Sequence, residues 1–196
     1  MKKCSWALSS KAEEKYHDEE WGVPIKDDTK LFEFLVLETF QAGLNWFTIL
    51  KKRENFRKAF DIFDYHKIAK YDSNNYDLLF QNAGIIRNRL KIKATISNAK
   101  CFIKIQEKYG SFSNYIWSFV ANKPIVNSFK TLADIPSTTL LSDKISKDLK
   151  KQGFKFVGST IIYAYMQAIG LVNDHVTDCF RYSQIKKMPL FKNTDS

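Results

Sequence analysis

The stretch Gly153-Phe154-Lys155-Phe156-Val157-Gly158, followed at once by Ser159-Thr160, decides how the rest of the chain is read. A helical run from Asp143 to Gln152, which Ser142 can cap, leads into it. A second run from Ser159 to about Ile169 follows and stops at Gly170. Two helices joined by a short turn with a glycine at each end look like a helix-hairpin-helix. The glycines let the backbone turn tightly and come close to a partner. The first N–H groups of the second helix then face outward at the positive end of its dipole, where a phosphate fits. Lys150, Lys151 and Lys155 flank the turn. Contacts of this kind position a nucleic acid without reading its sequence. A plain helical hairpin with a basic surface is the competing explanation. The glycine pair beside a basic cluster favours DNA, with Lys155, Gly158, Ser159 and Thr160 as contacts.

Composition agrees with this direction. The 196 residues carry 31 Lys and Arg against 21 Asp and Glu, a formal charge of +10. A basic chain of this size commonly meets nucleic acid, although drift toward lysine on a solvated surface gives the same total. The length favours one domain. No window approaches the roughly 18 uninterrupted apolar residues of a membrane span. Met1-Lys2-Lys3-Cys4-Ser5-Trp6-Ala7-Leu8 starts like an export signal, but its apolar part is short and Lys11, Glu13, Glu14 and Lys15 follow. The expectation is therefore a cytoplasmic protein with reduced thiols. Three widely spaced cysteines, an odd count, argue against a disulfide framework.

Upstream lies a second informative stretch, Leu37-Glu38-Thr39-Phe40-Gln41-Ala42-Gly43-Leu44-Asn45-Trp46-Phe47. Glu38 interrupts an apolar helical run from Asp28 or Thr29 to about Ala42. A buried charge is expensive without a partner or a task. Trp46 and Phe47 follow beyond the Gly43 break. The segment reads as one wall of a pocket with an acidic group at its base.

The other elements are helical by spacing. Asn45 caps Trp46 to about Phe60, with Ile49, Leu50, Phe56 and Phe60 inward and Lys51-Lys52-Arg53 outward. Asp64 caps a short turn, and Ser73 or Asn74 opens a helix that stops near Gly84. Asn88 to Tyr109 is a long helix in which Leu90, Ile92, Ile96 and Ala99 alternate with Lys91, Lys93 and Lys100. Phe112 to Val120 is short and aromatic, and residues 121–141 form a loop. No β pattern persists, so the class is all-α. Residues 1–27 show little periodicity but hold Cys4, Trp6, Tyr16, His17 and Trp21, so they pack on the body.

His175 and Cys179 are four apart, a spacing that puts both on one face of a helix. Asp174 can cap the turn that carries them. Cys4 and His17 form a similar pair at the other terminus. Together they make an all-N/S donor set suited to a closed, structural zinc site. Taken singly, each could be an ordinary packing residue, as His66 and Cys101 are taken to be.

Several motifs in order resemble one family. They are Cys4-x-Trp6, Tyr16-His17-Asp18-Glu19-Glu20-Trp21-Gly22-Val23-Pro24, Gln41-Ala42-Gly43-Leu44-Asn45-Trp46, Lys51-Lys52-Arg53-Glu54-Asn55, Ala83-Gly84-Ile85-Ile86-Arg87, Gly153 to Gly158 and Leu171-Val172-Asn173-Asp174-His175-Val176. The chain resembles the bacterial type I 3-methyladenine DNA glycosylases from Cys4 to about Cys179. The resemblance implies an all-α helix-hairpin-helix glycosylase, with residues 1–182 as one domain. Within it, 1–27 would be a zinc-anchored arm and 142–170 the helix-hairpin-helix; residues 183–196, being polar, read separately as a disordered tail. It implies a monomer that hydrolyses the N-glycosidic bond of 3-methyladenine in double-stranded DNA. One structural zinc would be held by Cys4, His17, His175 and Cys179. Glu38 and Tyr16 would be the catalytic pair that hydrogen-bonds the flipped base. Trp46 would stack on the base, Trp6 and Trp21 would line the pocket, and Leu44, beside Gly43, would wedge into the duplex. Two positions depart from the family pattern. Glu13 stands where relatives have an aromatic residue, and the hairpin differs from the usual Leu-Pro-Gly-Val-Gly form.

The chemistry suits these residues. The methylated base is cationic while attached to the sugar and leaves neutral, so the bond is already weak. Recognition and flipping are then the main tasks. Aromatic faces attract the cation by about 0.5–2 kcal/mol each. The water-activating group is open, with Asp174 as a candidate. A non-catalytic lesion-binding protein on the same fold is the rival reading.

Overall fold

The computed structural model describes residues 1–189. Its centre is helix α2, Asp28–Gln41, in which every residue from Leu31 to Phe40 is buried. A helix apolar on all sides must be covered on all sides. Here α3 (Trp46–Ala59), α6 (Arg89–Tyr109), α7 (Phe112–Ser118) and α9 (Ser159–Ala168) surround it. Phe32 meets Phe102 and Phe102 stacks on Phe112, while Phe40 meets Phe56 and Phe60, giving an aromatic spine on both flanks.

The remaining helices are α1 (Lys11–Glu19), α4 (Tyr65–Ile68), α5 (Ser73–Gln81), α8 (Leu140–Lys151) and α10 (Phe180–Lys186). A two-stranded parallel ladder pairs β1, Ile125–Val126, with β2, Val172–Asn173. It fastens the 121–141 loop to the segment after α9. Strands of two residues are too short to leave an alternating pattern.

The arm is more ordered than its sequence suggests. A 3-10 turn, Ser5–Ser9, precedes α1. Ser10 caps α1, its hydroxyl accepting from the Glu13 N–H and donating to the Glu13 carboxylate. Glu13 is thus spent at the start of this helix. The periodicity was hidden because α1 is short and buries only Tyr16 and His17.

Two basic residues, Arg53 assigned outward and Lys91 read as alternating with the apolar positions of its helix, point inward. Arg53 is 8% exposed. Its guanidinium donates to Glu33 at 2.7 Å and to both Glu20 oxygens at 2.8 and 2.9 Å. One side chain of α3 thereby ties down α2 and the end of α1. In α6, Leu90 is 67% exposed and Lys91 is 6% exposed, the reverse of the apolar pattern. Lys91 Nζ donates to the carbonyls of Phe40 at 2.9 Å and Ala42 at 2.7 Å. A cation there meets the open carbonyls and negative dipole end of α2.

The hairpin joins α8 to α9. Thr139, not Ser142, caps α8; Ser142 sits inside the first turn and returns the bond to the Thr139 N–H. Gly153 has φ +94, a conformation that favours glycine. Gly158 has φ −63 and caps α9, with open space where a Cβ would stand. The turn itself therefore does not require a glycine at 158. The second left-handed residue is Phe156, φ +56. Asn98 of α6 grips the turn by both amide atoms, donating to the Lys155 carbonyl and accepting from its N–H.

Helix α10 carries order past residue 182, burying Ile185, so the tail expected from 183 starts too early. Its part from 190 onward lies outside the described residues.

Candidate active site and metal cluster

A cavity of about 320 Å³, within the range of small-ligand pockets, opens among α1, α2, α3, α9 and the 121–141 loop. Trp6, Tyr16, Trp21, Glu38 and Trp46 all line it. These five were the expected base-binding residues, and they come from four separate segments. The rings pack edge to face or tilted: Trp6 lies 5.1 Å from Trp21, and Tyr16 lies 5.1 Å from Trp46.

Glu38 is 4% exposed and has no hydrogen-bond or ion-pair partner among the described residues. Burial pushes its carboxyl up to about 8. Tyr16, also without a hydrogen bond, is held well above its ordinary value by burial first and then by the nearby Glu38. Trp46 adds a buried ring N–H with no partner. Buried polar groups in folded proteins are nearly always satisfied. Of the three, the Trp46 N–H is wholly enclosed, and the Glu38 carboxyl and Tyr16 hydroxyl line the cavity without a protein partner, so all three can serve a ligand there.

Gln41, Leu132, Ile135, Ala164 and Gln167 complete the lining and were not anticipated. Gln41 lies one turn beyond Glu38, a spacing that could have exposed it. Leu132 and Ile135 come from the 121–141 loop, whose sequence carries no register. Thr160, Ala164 and Gln167 follow helical spacing on one face of α9. The face that starts at the hairpin therefore ends at the cavity, roughly 10 Å away.

The expected DNA-contacting residues are not in the cavity. Leu44 is 39% exposed beyond the end of α2. Gly43, φ +81, turns the chain outward there, and Leu44 accepts from Gln41 Nε2 at 2.9 Å. Lys155 and Thr160 are exposed on the hairpin side. Ser159 is partly covered, its hydroxyl 2.7 Å from that of Ser142.

Asp174 neither caps a turn nor faces the cavity. It is fully buried and accepts from Asn127 at 2.6 Å, Tyr163 at 2.6 Å and Gln167 at 2.8 Å. Three donors hold its oxygens, which leaves it poorly placed to activate water.

Cys4, His17, His175 and Cys179 converge as expected, all buried, with ligand atoms within 4.8 Å of one another. His175 and Cys179 do not share a helix face. They sit in the irregular segment between β2 and α10, with Cys179 as the cap of α10. The geometry fits a tetrahedral metal. Bonds of about 2.3 Å to sulfur and about 2.0–2.1 Å to nitrogen give S–N edges near 3.6 Å and an N–N edge near 3.4 Å. The structure has S–N separations of 3.6, 3.4 and 3.6 Å and an N–N separation of 3.2 Å. Both imidazoles are oriented from behind. His17 Nδ1 donates to Asp18 at 2.8 Å and His175 Nε2 to the Trp21 carbonyl at 3.0 Å, so that the unprotonated His17 Nε2, which also lies 3.4 Å from the Cys4 N–H, and His175 Nδ1 face the cysteine sulfurs.

A helical body with a helix-hairpin-helix, and an aromatic cavity with an unpartnered acid in its wall, define the DNA glycosylase class. Residues 6–182 match the family described as methyladenine glycosylase, and the chain belongs to that family. It is 50% identical over 182 residues to DNA-3-methyladenine glycosylase 1 of Escherichia coli K12, covering 93% of this chain and 97% of that protein. Among solved structures, a 3-methyladenine DNA glycosylase I is 49% identical with a TM-score of 0.89, covering 91% and 98% of the two chains. The Staphylococcus aureus enzyme, whose structure addresses 3-methyladenine recognition, is 36% identical with a TM-score of 0.87, covering 90% and 94%.

Proposed function

We propose that this chain is a DNA repair hydrolase that flips 3-methyladenine out of double-stranded DNA and cleaves its N-glycosidic bond, leaving an abasic site. The observation that carries the proposal is Glu38, a buried carboxyl without a partner in an aromatic cavity. A cationic base supplies that partner. Its charge favours the ionised form of Glu38, which burial alone disfavours. Neutral adenine gives Glu38 no such charge, and flipping it costs more because its pairing is intact.

In this reading Glu38 and Tyr16 hydrogen-bond the base, Trp46 stacks on it, and Trp6 and Trp21 close the sides. Leu44 fills the gap left in the duplex. Gly158, Ser159, Thr160 and Lys155 contact backbone phosphate, so that α9 joins the DNA-facing hairpin to the cavity. The decisive experiment measures free base released from methylated duplex in single turnover. Wild type should release 3-methyladenine, and Glu38→Ala should lose about a hundredfold in rate, as for other preorganised electrostatic groups. Binding of methylated DNA without base release would establish the non-catalytic lesion binder instead. Unchanged release by Glu38→Ala would remove Glu38 from the site.

Cys4, His17, His175 and Cys179 would hold zinc. Two thiolates would neutralise it, and the site would join the N-terminal arm to the segment before α10. Elemental analysis of natively purified protein should give one zinc per chain, and none would refute the assignment. The chain would act as a monomer in the cytoplasm, where thiols stay reduced. No helix among the described residues is long and apolar enough to cross a membrane.

A further inference from the structure

We infer that Gln167 is a specificity-determining residue, presenting a fixed hydrogen-bond acceptor to the exocyclic amino group of the bound base. The inference rests on the proposed base-binding role of the cavity and deepens it.

Gln167 lines the cavity. Its Nε2 donates to Asp174 Oδ2 at 2.8 Å. Asp174 is fully buried and already accepts from Tyr163 and Asn127. An ionised carboxylate only accepts. Turning the amide over would set Gln167 Oε1 against the Asp174 oxygens and leave an acceptor facing an acceptor. Asp174 therefore fixes which amide atom faces away from it, and Oε1 has no partner among the described residues. Gln41, the other cavity amide, is held only by the carbonyl of exposed Leu44, so its orientation is less constrained.

An oxygen fixed in this way takes an N–H donor. Adenine carries an amino group on its six-membered ring where hypoxanthine carries a carbonyl. A 6-amino purine thus completes the bond, and a 6-oxo purine of the same shape brings oxygen to oxygen. Sites built to hydrogen-bond one group reject the analogue that lacks it, because their own polar atom is left unpaired.

The test uses the whole protein and two free bases, 3-methyladenine and 3-methylhypoxanthine. Affinity is read from quenching of tryptophan fluorescence. Wild type should prefer 3-methyladenine by about tenfold, the upper worth of one net hydrogen bond. In Gln167→Leu the preference should fall to about twofold or less, mainly by loss of 3-methyladenine affinity. Gln167→Met, closer in shape, should behave the same and serves where the leucine variant folds poorly. A full preference retained in either folded variant would overturn the inference, as would equal affinity of wild type for the two bases. Failure of wild type to bind either base would instead strike the base-binding reading of the cavity.

Discussion

Glu38 and Asp174 are both buried carboxyl groups in one small helical fold, and their surroundings could hardly differ more. Asp174 is enclosed by an amide from the 121–141 loop, a phenol and a second amide from α9, and those donors replace the water it lost. Glu38, on α2, is also buried, lines the cavity and meets no donor from the protein among the described residues. Glu33, on the same helix, lies between the extremes, buried but paired with Arg53 and Arg57. Burial is thus no guide to what an acid does. An acid whose donors are all supplied by the protein holds structure together. One that meets no donor from the protein is free to bind a ligand, and burial alone then raises its pKa.

Removing the satisfied acid should produce the largest effect on the fold. Asp174→Ala leaves three donors facing a hole, each losing about 1–3 kcal/mol of satisfaction. Urea denaturation should show a loss of at least about 3 kcal/mol, and a loss below 1 kcal/mol would mean that these bonds are dispensable.

The unsatisfied acid should behave in the opposite sense. Burial lets Glu38 hold its proton to about pH 8 when folded, against an ordinary carboxyl value of 4.5. Between those values the folded chain binds a proton that the unfolded chain has released, so its stability declines as pH rises. Glu38→Gln has no such titration. Its stability relative to wild type should increase by about 2 kcal/mol or more between pH 5 and pH 8 in calorimetry. A gap that stays constant with pH would show that Glu38 is ionised in the folded protein throughout.

The smallest effect concerns the rim rather than the wall. Leu44→Gly should weaken binding to duplex DNA containing an abasic site by about tenfold, the worth of burying part of a leucine. Affinity for free 3-methyladenine should not change. Parallel loss of both would place Leu44 in the cavity and not on the DNA side.

How much of this was legible in the sequence depended on the range of the interaction. Helix α3 was readable from its cap Asn45 and α2 from its stop at Gly43, although the cap of α2 is Asp27 and not Asp28 or Thr29, and α6 from its long apolar spacing; caps and stops act within a few residues. The helix-hairpin-helix was readable from Gly153 and the run after Gly158, although the cap of α8 is Thr139. The five aromatic and acidic cavity residues, and the four metal-binding candidates, were found by type and by resemblance. Arg53, Lys91 and Asp174 were misread. Each was judged by its own helical face or its neighbours, while its partners lie 20 to 51 residues away in sequence, or, for Asp174, on α9 and a separate loop.

The sequence by itself determined that the chain is helical, where its main helices begin and stop, and which side chains carry unusual chemistry. Those are matters of local propensity, capping and residue type. Only the tertiary structure decided which buried charge is answered and which is left open. Hydrogen-bond satisfaction is a property of three-dimensional neighbours, and a carboxylate in a string of letters has none. That difference makes Glu38 the candidate functional acid, makes Asp174 its structural counterpart, and brings Gln167 to the cavity wall.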